Sequence, residues 1–473
     1  MPLIRLIIFP LFAIAAAALP VFAHAEEMLA LNGPMTSEVA PEWLPTARDI
    51  RIELIQESPE ALKSDLAAHD LWARIRAGFA MGELDSKLVA RQEKWYAGHP
   101  DYVARMTERA RLYLYYITEE VERRGMPSEI ALLPMIESAF NPSAYSHSRA
   151  SGIWQFMPST GKKFGMQQNW WYDGRRDIIS ATNGALDYLQ KLHDMFGDWP
   201  LALAAYNCGE GAIQRAQARN RKRGLPVDYA SLKLLKETRN YVPKLMAIKN
   251  IVANPANFGL TLQEIPNEPY FAAVATTSHI DVKLAAQLAD ISIEEFAALN
   301  PAHNRPVILQ DGRDLILLPI DKIQTFRANL ESYNKPLVSW QSYQPKKGER
   351  LDKLAPRFGL SVENLKSVNG LSRHGNISTG QTLLVPINGE DTENPFEAFN
   401  MHLAADDLSR AVRHVVRRGE TLSSIAHRYH VSVARLRQWN GPLKIIRPGQ
   451  SIAVAETGAR RTSGHRRRTL ARS

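Results

Sequence analysis

ALLPMIESAFNP, Ala131 to Pro142, sets a carboxylic acid at the far end of an almost wholly apolar run. Leu133 stands four residues before Glu137 and Ile130 seven, so the acid continues an apolar stripe instead of facing water. Desolvation there would raise its pKa, and an acid still neutral near pH 7 is what protonation of a glycosidic oxygen requires. The same glutamate also reads as a helix-end cap or as the partner of Arg149, and spacing by itself leans to that plainer reading.

Around this run the periodicity is helical. Val103, Met106, Ala110, Tyr113, Leu114, Ile117 and Val121 predict one long amphipathic helix, ended by Gly125 and Pro127. The next helix is expected to run through Glu137 to Asn141-Pro142, with others in DIISATNGALDYLQKLHDMF, WPLALAAYN and SLKLLKETRNYVPKLMAIKNIVA. Residues 61–255 are therefore read as an all-α domain centred on about 126–245.

The whole chain bounds this reading. Its 473 residues, 45% hydrophobic and 23% charged, make about three folded units at ~150 residues each. Arg5 precedes an apolar stretch, Leu6 to Phe22, that ends in Ala23-His24-Ala25, which predicts a cleaved export signal over 1–25. An N-terminal segment, 26–60, follows it. Pro10 and Pro20 interrupt the apolar stretch, which is shorter than the ~20 residues of a membrane span. One cysteine, Cys208, excludes a disulfide framework and a thiolate metal site, and reads as a small buried residue. With no cysteine at the signal end, no lipid anchor is expected there. The net charge of +9 suggests nucleic acid at first, but Arg460, Arg461, Arg466, Arg467, Arg468 and Arg472 crowd a tail, 457–473, that reads as a disordered arm. Its expected partners are anionic envelope surfaces, not nucleic acid.

The C-terminal third repeats itself. KKGERLDKLAPRFGLSVENLKSVNGL from Lys346 aligns with RRGETLSSIAHRYHVSVARLRQWNGP from Arg417, so that Gly348, Leu351, Phe358, Ser361 and Asn369 fall on Gly419, Leu422, Tyr429, Ser432 and Asn440. Each copy reads as a β-α-α-β unit, over 341–388 and 412–456, on either side of an acidic linker, 389–411. A worn third copy spans 270–322: Val282 to Pro301 keeps the helix, Ile-Ser, helix, Leu-Asn order but lacks the glycine-rich opening loop.

SGIWQFMPSTG offers glycine for close backbone approach, Trp154 and Phe156 as apolar faces and Gln155 as a two-way amide. Trp170, Trp171 and Tyr172 form another aromatic cluster, and AAYNCGEG pairs Tyr206 and Asn207 with a glycine-rich turn. Singly these are ordinary core residues; together in an exported helical domain they suggest an oligosaccharide groove.

IESAFNP, SGIWQFMPSTG, AAYNCGEG and ETRNYV, in that order, resemble the lytic transglycosylase domain of lysozyme-like fold, and the paired units resemble LysM. The implied architecture is multidomain, an all-α lysozyme-like catalytic domain followed by small β-α-α-β LysM modules. The resemblance implies that Glu137 is the acid/base, and that Ser138, Gln155, Phe156, Tyr206, Asn207, Glu237 and Tyr241 line the glycan groove. It implies glycan contacts at Gly348, Glu349, Leu351 and Asn369 in the first LysM and at Gly419, Glu420, Thr421, Leu422 and Asn440 in the second. Family members cleave peptidoglycan between MurNAc and GlcNAc without water, leaving a 1,6-anhydro end. Glycan strands are thus the expected partner, the periplasm and cell envelope the expected place, and no cofactor or metal is expected. A muramidase that adds water, with Asp173 or Asp177 as second carboxylate, and a noncatalytic peptidoglycan-binding protein are the alternatives. In the first LysM, Arg350 replaces the Thr421 of the second and Pro356 lies inside a helix, so weaker binding is expected of that copy.

Overall fold

Short side-chain caps and glycines punctuate the helical region. Ser86 accepts from the Val89 amide, Asp177 from Ser180 and Asp198 from Leu201, each opening a helix, and Gly197 closes one in the left-handed conformation. A computed structural model describes residues 69–455 except 85, 147, 276–277, 310–314, 347, 372–376, 378–380, 388–411, 429–432, 434–435, 437–445 and 449. The export segment, the N-terminal segment, the acidic linker, Asn440 and the arginine tail lie outside the described residues.

The first unit is all helical: α1 Leu71–Ala77, α2 Lys87–Ala97, α3 Pro100–Ala110, α4 Leu114–Arg123, α5 Leu133–Glu137, α6 Pro158–Lys163, α7 Ile178–Phe196, α8 Trp199–Cys208, α9 Glu210–Arg221 and α10 Lys236–Ala253. Three sequence expectations need correction. The single helix expected over 103–121 is two, because the chain turns at 111–113, where Arg111 stacks over Tyr270 and the buried Tyr113 hydroxyl donates to the Ala298 carbonyl at 2.8 Å. The Glu137 helix starts as a 3-10 turn, Ser128–Leu132, and stops at Glu137 instead of Pro142 because Ala139 and Phe140 are both left-handed. The last helix begins at Lys236, not at Ser231.

Three small units of strands and helices follow, the last of them described in part. The worn copy comprises β1 Phe271–Ala275, β2 Ile280–Asp281, α11 Val282–Leu288, α12 Ile293–Leu299, β3 Val307–Ile308 and β4 Leu315–Pro319, with α13 Ile323–Ser332 after it. The first LysM is β5 Trp340–Tyr343, α14 Leu351–Arg357, α15 Val362–Val368 and β6 Leu383–Pro386. Of the second, β7 Val412–Val415, α16 Leu422–Arg428 and β8 Ser451–Ala455 are described. Strands β1 and β4, β5 and β6, and β7 and β8 pair antiparallel. No helix among the described residues is long and apolar enough to cross a membrane.

An asparagine clamps each of the first two units. Asn369 Nδ2 donates to the Leu365 and Leu384 carbonyls, both at 2.9 Å, and its Oδ1 accepts from the Leu384 amide at 2.7 Å. Asn300 makes the same three bonds, to Phe296 and to both backbone groups of Leu317. One buried amide thereby ties the second helix to the closing strand. Pro356 is accommodated because it lies in the last turn of α14, where the Phe358 and Leu360 amides bond back to Ala355. Asn369→Ala leaves three buried backbone groups unpaired and should destabilise the first LysM by about 3 kcal/mol, measured by denaturant unfolding or by local hydrogen exchange.

Candidate active site

The chain leaves Glu137 through a sharp reversal. Ala139 and Phe140 sit at φ of 52° and 55°, a costly backbone for residues with side chains. Phe140 is held there by complete burial against Tyr113, ring centroids 6.3 Å apart, and by its amide bond to the Pro134 carbonyl at 3.2 Å. The reversal ends the helix at the acid and brings loop 144–157 over it, where the Ser138 hydroxyl donates to the Ile153 carbonyl at 2.9 Å.

That loop is fixed from behind. Gly152 is left-handed, and a Cβ there would overlap the Arg175 carbonyl, so no other residue fits. Gln155 donates from Nε2 to the Gly152 carbonyl at 2.8 Å and the Ala144 carbonyl at 3.3 Å. Trp154 and Phe156, read from sequence as faces for sugar, are buried instead: the indole donates to Thr182 at 3.0 Å, and Phe156 packs edge-on against Tyr206. They support the loop.

Helices α8 and α10 close the site. The Tyr206 hydroxyl donates to the Trp154 carbonyl at 2.9 Å, and the Asn207 side-chain carbonyl accepts from the Thr238 hydroxyl at 2.8 Å. The Tyr241 hydroxyl donates to Glu137 Oε1. Glu137 is half-buried, with Oε1 turned to the Tyr241 hydroxyl. Burial pushes its pKa up to about 7, opposed by the Tyr241 hydrogen bond and the Lys244 charge and aided by exposed Glu237. Burial also holds the Tyr206 and Tyr241 hydroxyls well above their ordinary pKa, beside the Glu137 charge, so both stay protonated.

Two contributors escaped the sequence reading. Lys244 stands seven residues after Glu237 and three after Tyr241, a helical spacing that would have placed it on their face. Tyr229 gave no signal. Pro243 inside α10 has no amide to give the Arg239 carbonyl, and the Tyr229 hydroxyl donates there at 2.9 Å and to the Thr238 carbonyl at 3.0 Å. Asp173 pairs with Arg175 at 2.6 Å and Asp177 caps α7, so neither is a spare carboxylate. Cys208 is half-buried, not buried, with its thiol pKa raised by desolvation. Among the described residues no group of three or more His, Cys, Asp or Glu forms a metal site.

In the first LysM, Glu349, Arg350, Leu351, Asp352, Val362, Lys366 and Ile377 border an open groove of about 430 Å³. Asn369 is spent on its clamp. Glu349 accepts from the Lys346 amide at 2.7 Å, and Glu420 from the Arg417 amide at 2.8 Å, so both lock their own turns, each followed back from a glycine at φ 87°, Gly348 and Gly419. Thr421 accepts from the Ser424 amide at 3.1 Å and opens α16, with exposed Gly419 and half-buried Leu422 beside it. Arg350, in the corresponding place, pairs with Asp352 at 2.9 Å at the edge of the groove.

Residues 115–225 match the Transglycosylase SLT domain family. Residues 270–335 match the family described as Lytic transglycosylase MltD, LysM-like domain, and 343–386 and 414–455 match the LysM domain family. Over 398 residues the chain is 33% identical to Membrane-bound lytic murein transglycosylase D of Escherichia coli strain K12, covering 81% of this chain and 85% of that protein. Membrane-bound lytic murein transglycosylase C of Glaesserella parasuis is 31% identical over 156 residues, 29% of this chain and 43% of its own. Autolysin of Enterococcus faecalis is 36% identical over 123 residues, 26% of this chain and 16% of its own.

Because the Tyr241 hydroxyl favours the Glu137 carboxylate, removing it should raise the glutamate's pKa further. In carboxyl-labelled protein followed by NMR, Glu137 should titrate near pH 7, and Tyr241→Phe should move the midpoint upward. A midpoint unmoved by Tyr241→Phe would disprove the coupling.

Proposed function

Because the chain belongs to the family of membrane-bound lytic murein transglycosylase D, we propose that Glu137 is the acid/base with which it cleaves peptidoglycan between MurNAc and GlcNAc. The observation that carries this reading is the half-buried Glu137 carboxyl, hydrogen-bonded by Tyr241 and with its pKa pushed up to about 7 by burial. Protonated Glu137 gives its proton to the bridging oxygen as the bond to C1 breaks. The resulting carboxylate then takes the proton of the sugar's own 6-hydroxyl as that oxygen closes on C1, so one group serves both steps and the product is a 1,6-anhydro-MurNAc end. Tyr241 favours the carboxylate produced in the first step; Lys244 does so by charge.

Hydrolysis by a muramidase calls for a second carboxylate flanking the bond. Glu237 is the acid that favours this second reading, since it is exposed and its charge reaches Glu137. The LysM modules hold the enzyme on glycan strands, and the chain acts in the periplasm at the cell envelope, from which the arginine tail contacts anionic surfaces.

Glu137→Gln should keep fold and sacculus binding while lowering turnover about a thousandfold or more, since an amide delivers no proton. Near-normal release by that variant overturns the assignment. Mass analysis of wild-type products separates the two chemistries: anhydro ends support the proposal, and reducing ends support the muramidase. With the acid's folded pKa near 7, cleavage should be full below that pH and fall as pH rises through it.

A further inference from the structure

The worn copy departs from the first LysM at the groove. Aligned through their asparagine clamps, Val282, Ser292 and Asn300 correspond to Leu351, Ser361 and Asn369, which puts Ile280–Lys283, Ile293, Ala297 and Ile308 where the first LysM has its groove-lining residues. In the worn copy those walls are bonded to each other. Ile280 pairs with Ile308 and Asp281 with Val307, and the Val282 amide donates to the Pro306 carbonyl at 2.8 Å. Ile280, Val282, Ala297 and Ile308 are completely buried, so a sugar ring has no way in.

The loop after Asn300 is instead spent on the catalytic domain. The Asp173 amide donates to the Ala302 carbonyl at 2.9 Å, the Asn304 amide donates to the Trp171 carbonyl at 2.7 Å, Arg176 donates to Asn304 Oδ1, and Tyr172 meets His303 edge-on. The cluster Trp170, Trp171 and Tyr172, read from sequence as a wall of the glycan groove, thus belongs to this junction. From the other side, Asp281 Oδ2 accepts from the Ser339 amide at 2.8 Å and hydroxyl at 2.5 Å, at the threshold of β5. Arg305 joins all three units. Its guanidinium lies 4.2 Å from the Trp170 ring centroid, and a Cβ on Gly370 of the first LysM would overlap its Nη2. Trp170 Nε1 also donates to the Asn369 carbonyl at 3.3 Å.

We propose that the worn copy has exchanged sugar binding for docking, and is a bracket that fixes the first LysM against the Trp170 loop of the catalytic domain. A glycan held by the first LysM then lies at a set distance from Glu137, which raises the effective concentration of substrate more than a loose tether does.

Hydrogen exchange on the full chain tests this without any assumption about the reaction. Arg305→Ala removes the keystone, and Gly370→Ala wedges it from the other face. Each should speed exchange in segments 169–173 and 301–306 on the order of tenfold while leaving α7 unchanged. Unchanged exchange at 169–173 in both variants overturns the bracket. In a second arm, chitotetraose added to the wild-type chain should protect 349–352 and not 280–283. Protection at 280–283 would show an open sugar site in the worn copy and overturn the exchange of roles.

Discussion

A carboxyl group drawn even partly out of water is costly unless its surroundings hold it, and at half-buried Glu137 they do so without a direct ion pair. No arginine or lysine is hydrogen-bonded to it among the described residues; one tyrosine hydroxyl is. Around this constraint the helical domain is built in convergent pieces. The reversal at Ala139-Phe140 ends the helix at the acid, Gly152 lets loop 144–157 come down on Arg175, and Pro243 with Tyr229 shapes the helix that carries Tyr241. The left-handed Phe140 and the proline inside the helix are locally unfavourable and are held by specific partners, the Tyr113 ring and the Tyr229 hydroxyl, while at Gly152 glycine takes the left-handed turn without that cost.

The modules follow a different economy. In units this small the hydrophobic core is modest, and the buried asparagine does by hydrogen bonding what a larger core does by packing. Asn300 and Asn369 make the same bonds although one unit offers an open groove and the other a closed one. Scaffold and ligand surface therefore vary independently, and the asparagine marks the fold and not the sugar site.

Much of this was legible in the sequence. The helical spacing before residue 255, the repeated Gly, Leu, Ser and Asn of the modules, and the position of Glu137 on an apolar stripe all pointed to what is found. The turn at 111–113 was hidden because apolar spacing resumes in phase across it, while its cause, contact with Tyr270 and Ala298, is remote in sequence. The early end at Glu137 was hidden because the left-handed residues are alanine and phenylalanine where glycine would have signalled a stop. Aromatic residues misled for a related reason. Trp154, Phe156 and Trp170 look alike as letters, and only the fold decides that two of them prop a loop and the third meets another module.

The junction between helical domain and modules also shows why a boundary in sequence need not be one in the core. Strand β1 alternates in the usual way, but both faces are buried: Phe271 and Ala273 join the core of the helical domain with Leu299 and Leu317, while Ala272 and Val274 join the core of the worn copy with Ile316 and Leu318. The β1–β4 pair is thus a shared wall. In the second LysM, by contrast, the β7 residue Val415 is left exposed. A sheet with two buried faces cannot be lifted from the helical domain without exposing apolar surface on both sides. Its attachment is therefore part of the folding of the catalytic domain itself, and a module built into that core is free to lose its sugar groove, since its retention rests on packing and not on ligand.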